Sequence, residues 1–229
     1  MEHYYTNDPT SCSEIREISY ELEGRRFTFE TDHGVFSMER VDHGSDILIR
    51  ALRRNEPSVS GQVIDLGCGY GAIGVTLAVL YPEAQFHLID VNDRAMALAR
   101  RNAKKIGVSD RIEVGTAQIS GEAEAELVVT NPPIRAGKET VYRLFQNAYE
   151  WLEPGGRLYA VIRKNQGAPS AVKELLRIFE NCETVERQSG FHVLRCVIMA
   201  TVRYPELNAK DYMTEILGEP RQMDLAIAE

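Results

Sequence analysis

Gly67-Cys68-Gly69-Tyr70-Gly71 stands between an apolar run, Val63 to Leu66, and a helical stretch, Ile73 to Leu80. Glycines at such a turn let the backbone bend sharply and approach a ligand without interference from a Cβ. The same residues match, as Gly67-x-Gly69-x-x-Ala72, the relaxed fingerprint of a dinucleotide site, so a nicotinamide cofactor competes for this turn. Two carboxylates bear on the choice. Asp90 closes the next apolar run, 23 positions after Gly67, where a carboxylate accepts the ribose hydroxyls of an adenosine. Asp65 precedes the first glycine by two residues; a carboxylate there opposes a pyrophosphate and suits a cation. S-adenosylmethionine, with adenosine, sulfonium and ammonium but no phosphate, answers that pattern. As a structural residue, Asp65 would instead bond amides of its own turn, and the two roles are compatible.

A second constellation is Val128-Val129-Thr130-Asn131-Pro132-Pro133-Ile134. Two consecutive prolines stiffen the backbone and leave the Pro132 carbonyl with no helical or sheet partner. The Asn131 side-chain oxygen and that carbonyl form two acceptors for one amino group. An exocyclic amine conjugated to a purine is a poor nucleophile. Acceptors that hold its hydrogens turn nitrogen density toward an electrophilic methyl, which is catalysis by orientation and electrostatics. As a plain loop, Asn-Pro opens a turn and Pro-Pro rigidifies it.

These residues need elements to position them. Ile18, Tyr20, Leu22, Phe27 and Phe29 alternate about Glu23-Gly24, the pattern of a hairpin. Ile47, Leu48, Ala51 and Leu52 take helical spacing. Strand and helix then alternate: Val63–Leu66, Ile73–Leu80, Phe86–Ile89, a helix capped by Asn92 or Asp93 and stopped by Gly107, Ile112–Val114 and Leu127–Val129. A helix over 139–152, ended by Pro154-Gly155-Gly156, a strand over 158–162, a helix over 171–180 and a final strand over 193–202 follow. Repeated βα units imply an α/β fold, a doubly wound, mostly parallel sheet with helices on both faces. Residues 1–57 then form a hairpin and entry helix, 58–203 the core and 204–229 a tail, all as one globular unit. In such a sheet the carboxyl ends of the strands form the ligand crevice, so the glycine turn and Asn131 face each other.

Composition sets outer bounds. The 229 residues are 44% hydrophobic and 26% charged, ordinary for a globular protein, with enough chain for a core that needs no disulfides. A net charge of -8 excludes a protein that coats nucleic acid non-specifically while permitting a local basic patch. Cys12, Cys68, Cys182 and Cys196 lie far apart, and the five histidines are scattered, so no metal site is expected. The opening residues have no leader pattern and no run approaches a membrane span; the expected location is cytoplasmic.

At this point the chain resembles a family. Asp65-Leu66-Gly67-Cys68-Gly69-Tyr70-Gly71, Asp90 and Asn131-Pro132-Pro133 look like the motifs of class I S-adenosylmethionine-dependent methyltransferases acting on amino nitrogens. The runs Asn131 to Lys138, Pro154-Gly155-Gly156 and Ile162 to Gly167, and the segment Gly34-Val35-Phe36-Ser37 through Asp42-His43-Gly44-Ser45, are similar to small-domain methyltransferases related to the 16S rRNA guanine-N2 enzymes. The resemblance implies a seven-stranded Rossmann-like sheet. It also implies a cofactor set of Asp65, Gly67, Cys68, Gly69, Gly71, Asp90, Val91, Gln118 and Asn131, with Asn131, Pro132 and Pro133 at the reacting amine. Two departures stand out. An aromatic residue that stacks on a flipped base often follows the prolines, and here it is Ile134. An acid often meets the adenine amine after the third strand, and here Thr116-Ala117-Gln118 stands, where Gln118 or the backbone could accept that hydrogen bond.

Arg135 and Lys138 follow the prolines, and Arg163 and Lys164 follow the fifth core strand, where they could clamp the phosphates around a flipped nucleotide. Ile134, Arg135, Lys138, Arg163 and Lys164 are therefore the expected substrate contacts. The expected reaction is methyl transfer to an exocyclic amine, guanine N2 of ribosomal RNA. Protein glutamine N5 and adenine N6 of RNA are the alternatives, and a nicotinamide-dependent reductase is the distant one.

Overall fold

The computed structural model describes residues 14–35, 37–116 and 125–199. β1 (Arg16–Leu22) and β2 (Arg25–Thr31) pair antiparallel with Leu22 opposite Arg25. Glu23 and Gly24, at the turn, both have positive φ (49° and 77°), a backbone that suits the strand twist. The inward residues are those of the period-two pattern, from Ile18 to Phe29. A buried asparagine, Asn102, holds the ribbon down: its Oδ1 accepts the Glu30 N–H at 2.7 Å, and its Nδ2 donates to the Glu30 and Tyr70 carbonyls at 2.9 and 2.8 Å.

The remaining elements are α1 (His43–Asn55), β3 (Gln62–Leu66), α2 (Ala72–Leu80), β4 (Gln85–Ile89), α3 (Asp93–Ile106), β5 (Ile112–Gly115) and β6 (Ala125–Thr130). They continue with α4 (Lys138–Trp151), β7 (Leu152–Arg163), α5 (Ala168–Phe179), β8 (Glu183–Gln188) and β9 (Phe191–Val197). Seven strands form one sheet in the order β5-β4-β3-β6-β7-β9-β8. Pairings among β5, β4, β3, β6 and β7 are parallel; β9 runs antiparallel to both β7 and β8. Strand order reverses between β3 and β6, and ligands of open α/β sheets bind at such a point.

Alternation along the strands divides the core. Val63, Leu127, Val129, Tyr159 and Val161 pack toward α1, α2 and α3, whereas Ile64, Leu66, Val128, Leu158 and Ile162 pack with residues of α4 and α5. α1 is locked at its C-terminus by Glu56, whose side chain accepts from the Tyr159 hydroxyl at 2.7 Å and pairs with Arg157, while its carbonyl takes the Tyr81 hydroxyl.

Several boundaries differ from the sequence reading; α5, for one, begins at Ala168 rather than at 171. β8 went unplaced because Glu-Thr-Val-Glu-Arg-Gln is a partly exposed strand at the sheet edge with no apolar alternation. β7 begins at Leu152 and includes Pro154-Gly155-Gly156, which is strand backbone with Gly155 at φ 86° rather than only a helix stop. β9 spans Phe191–Val197, two residues earlier at its start than expected and ending well before 202. The expected tail over 204–229 lies outside the described residues.

Candidate active site

A cleft of about 730 Å³ opens at the carboxyl ends of β3, β4, β6 and β7. Residues 67–70 of the glycine turn, residues 89–92, the Asn-Pro-Pro segment, Asp42 and Ser45, the Thr140–Asn147 face of α4, Arg163 and Phe191 line it.

The glycines of the turn divide into two kinds. Gly67 and Gly69 have φ of 73° and 57°, and a Cβ on either would meet nothing closer than Pro133 Cδ at 4.0 Å, so their faces are open to the cleft. Gly71, at φ 88°, packs inward: a Cβ there would lie 3.1 Å from Val75 Cγ2 and 3.3 Å from Ala99 Cβ. It does not line the cleft, so its expected ligand contact is replaced by a packing role between α2 and α3.

Much of the turn's hydrogen bonding is spent within the protein. The Gly67 and Cys68 N–H groups donate to the Ile89 carbonyl at 2.8 and 3.0 Å, Gly69 N–H to Asp90 Oδ2 at 2.8 Å and Gly71 N–H to the Cys68 carbonyl at 2.9 Å. A pyrophosphate site needs free amides aimed at the ligand. These amides are engaged and an acid stands among them, so the turn fits an adenosine ligand without phosphates better than a dinucleotide.

Asp90 is fixed before any ligand arrives. Besides Gly69, it accepts from Val91 and Asn92 N–H at 2.8 and 2.9 Å. Burial raises its carboxyl above the ordinary range, and the three amides pull against that shift. Val91 lies beside it, half-exposed on the cleft wall. Cys68 lines the cleft, yet burial and the nearby Asp90 push its thiol well up, so it is no thiolate nucleophile.

Asp65 is fully buried and is not among the cleft-lining residues. Its Oδ2 accepts the Gly74 N–H at 2.8 Å in the first turn of α2, the structural reading of this residue. Burial pushes its carboxyl up to about 7, against the pull of that amide. Gln118 lies outside the described residues.

At the end of β6, Asn131 Nδ2 donates to Asp42 Oδ2 at 2.9 Å and to Ser45 Oγ at 3.0 Å. The carboxylate is an acceptor only, so the amide nitrogen must face it and the carbonyl oxygen must point elsewhere. The Pro132 carbonyl has a partner after all: Ile134 N–H donates to it at 2.9 Å, across Pro133 at φ -74° and ψ 78°, an inverse γ-turn. One lone pair of that oxygen is occupied and one remains.

Of the expected substrate contacts, Ile134, Arg135 and Arg163 line the cleft; Lys138 and Lys164 do not. Sequence reasoning missed Arg143 and Phe191. Arg143 follows Thr140 by three and precedes Asn147 by four, the face of α4 opposite the buried Val141, Phe145 and Ala148, so helical spacing could have found it. Phe191 reaches the cleft because the Lys164 N–H donates to the Gly190 carbonyl at 2.8 Å, drawing the β8–β9 turn to the end of β7. The Arg163 guanidinium lies 5.2 Å from its ring centroid. Neither Arg135 nor Arg143 forms an ion pair with a described residue.

The chain thus falls among the class I S-adenosylmethionine-dependent methyltransferases, whose sheet reverses its strand order at the cofactor crevice. More narrowly, the methyltransferase small domain matches residues 26–195, and the chain belongs to that family. It is 38% identical over 198 residues to YbxB, an uncharacterized protein of Bacillus subtilis, covering 85% of this chain and 97% of that one. It is 28% identical to ribosomal RNA large subunit methyltransferase G of Shewanella loihica, over 85% of this chain and 50% of that enzyme. Ribosomal RNA small subunit methyltransferase C of Vibrio vulnificus is also 28% identical, over 78% of this chain and 52% of its own length. The chain therefore spans about half of each ribosomal RNA enzyme. In fold it is similar to the T. thermophilus 16S rRNA methyltransferase RsmC in complex with AdoMet and guanosine, with a TM-score of 0.69, 24% identity, and coverage of 83% of this chain and 52% of that one. Among the described residues no helix is long and apolar enough to cross a membrane, and no cluster of His, Cys, Asp and Glu could hold a metal ion.

Proposed function

We propose that this protein methylates an exocyclic amino nitrogen of a nucleotide in ribosomal RNA, guanine N2. The observation that carries the reading is the adjacency of two groups: the open glycines Gly67 and Gly69, and the acceptor pair of Asn131 and Pro132, lie at neighbouring strand ends of one cleft. Gly67, Cys68 and Gly69 border the methionine part of the cofactor, and Asp90 with Val91 its ribose. When bound, S-adenosylmethionine supplies a methyl carbon that the amine nitrogen takes as the carbon–sulfur bond breaks. Asn131 Oδ1 and the Pro132 carbonyl hold the amine hydrogens and turn the nitrogen lone pair toward that carbon, and the proton lost by the product amine leaves to water. The two prolines keep both acceptors from relaxing.

The nucleic-acid reading rests on the far half of the cleft. Arg135, Arg143 and Arg163 are cations with no ion pair among the described residues and are suited to phosphates, and Phe191 supplies the aromatic face that Ile134 lacks. The relatives that act on ribosomal RNA support it.

Tritium transfer from labelled S-adenosylmethionine to undermodified ribosomal subunits, free rRNA and release factors tests this. Label in N2-methylguanine is the expected result. Label confined to protein overturns the RNA assignment in favour of glutamine, and label in N6-methyladenine moves the target to adenine.

A further inference from the structure

Three donors converge on one carboxylate oxygen at the start of α1. Asp42 Oδ2 accepts from Gly44 N–H at 2.8 Å, Ser45 N–H at 3.2 Å and Asn131 Nδ2 at 2.9 Å. The first two bonds are an ordinary N-cap. The third reaches 89 residues along the chain to the acceptor amide of the site. Ser45 Oγ takes the second hydrogen of the same NH2 group.

We infer that Asp42 is a positioning residue for methyl transfer: a charged latch that orients the Asn131 amide and polarises it, with Ser45 closing the second bond. The inference rests on the proposed role of Asn131. Without the latch, an asparagine amide has two orientations of nearly equal shape, one presenting an acceptor to the target amine and one presenting a useless donor. Asp42 removes the second, since a carboxylate accepts and never donates. Its charge also draws the Nδ2 hydrogens, which raises electron density on Oδ1 through the conjugated amide. The target nitrogen becomes positive as the methyl arrives, so that density favours the transition state more than the neutral ground state.

The surroundings are built to keep the carboxylate there. Gly44 is required beneath it, because a Cβ at that position would lie 2.9 Å from Asp42 Oδ2 and 2.9 Å from the Phe191 ring. Ser45 is buried, and Ile47, Leu48, Ile49 and Leu52 anchor α1 without exposure. With Glu56 pinning the other end, α1 cannot swing Asp42 away from Asn131 without breaking the core.

Four proteins test the latch: wild type, Asp42→Asn, Asn131→Asp and the double variant. Asp42→Asn keeps a capping oxygen but loses the charge; kcat should fall about 10-fold with KM for RNA and affinity for S-adenosylhomocysteine within about 2-fold. Asn131→Asp sets two carboxylates face to face and should fall about 100-fold or more. The double variant removes the facing carboxylates while the amide oxygen at position 42 keeps the helix cap, so the two losses are not independent and kcat should recover about 10-fold over Asn131→Asp alone. A helix cap and nothing more predicts the opposite, two losses that accumulate. Unchanged kcat in Asp42→Asn, or no recovery in the double variant, overturns the inference.

If wild type labels no substrate, the function reading has failed separately, and the latch is judged by hydrogen exchange of the Asn131 side-chain NH2. Protection in wild type that Asp42→Ala abolishes supports it; an unprotected NH2 in wild type overturns it.

Discussion

Leu66 and Thr130 face each other in the parallel strands β3 and β6, and the buried Thr130 hydroxyl donates to the Leu66 carbonyl at 2.7 Å. The next residues are Gly67 and Asn131, so this bond adds to the β3–β6 ladder in holding the glycine turn beside the Asn-Pro-Pro segment. Thr130→Val keeps the shape and strands a buried carbonyl lone pair. It should lower stability by about 1–2 kcal/mol and reduce methyl transfer severalfold more than it reduces S-adenosylhomocysteine affinity. Thermal unfolding with steady-state kinetics checks both, and an unimpaired kcat would mean the strand ends are held by other contacts.

Gly69 and Gly71 separate binding from folding. Gly71→Ala places a methyl against Val75 and Ala99 in left-handed backbone and should cost about 2 kcal/mol or more of stability. Gly69→Ala meets no neighbour, so only its backbone strain of about 1 kcal/mol applies, while its methyl projects toward the cleft. Denaturant titration beside calorimetry of S-adenosylhomocysteine should show the larger stability loss at 71 and the larger affinity loss at 69.

Asp65 makes stability pH-dependent. Its folded pKa of about 7 lies above the unfolded value of 3.8, so between those pH values the folded state holds a proton that the unfolded state has lost. The contribution is fully present below the unfolded value and is lost as pH rises through about 7. Wild type should therefore gain stability relative to Asp65→Asn on going from pH 8 to pH 5.5, by up to about 2 kcal/mol at ~1.4 kcal/mol per pKa unit. Urea midpoints at the two pH values measure it, and a constant difference would refute the assignment.

Arg143 and Lys138 share α4 but not the cleft. Arg143→Gln should lower kcat/KM for RNA by about 10-fold and flatten its salt dependence, whereas Lys138→Gln should stay near wild type. Kinetics across a salt series distinguish them; equal losses would point to a diffuse basic surface in place of a clamp.

Local patterns carried far in this chain. Alternation about Glu23-Gly24 specified the hairpin, and Asn92 caps α3 as its side chain implies, accepting from Arg94 and Ala95 N–H. The glycine turn and Asn-Pro-Pro marked the cleft in advance because close backbone approach and stiffness are properties of the residues themselves. β8 was illegible because its strand state comes from pairing with β9, which its polar sequence does not record.

Sequence by itself determined the βα order and the two segments, the glycine turn and Asn131-Pro132-Pro133, that border the cleft. Tertiary structure alone decided that Asp65 faces α2 and not the cleft, that Gly71 packs while Gly67 and Gly69 stay open, and that Phe191 and Arg143 join the site. It alone brought Asp42 to Asn131. The physical reason is that orientation belongs to pairs of residues distant in the chain: a side chain's chemistry is written at its own position, and the partner that aims it is supplied only when helix and sheet pack.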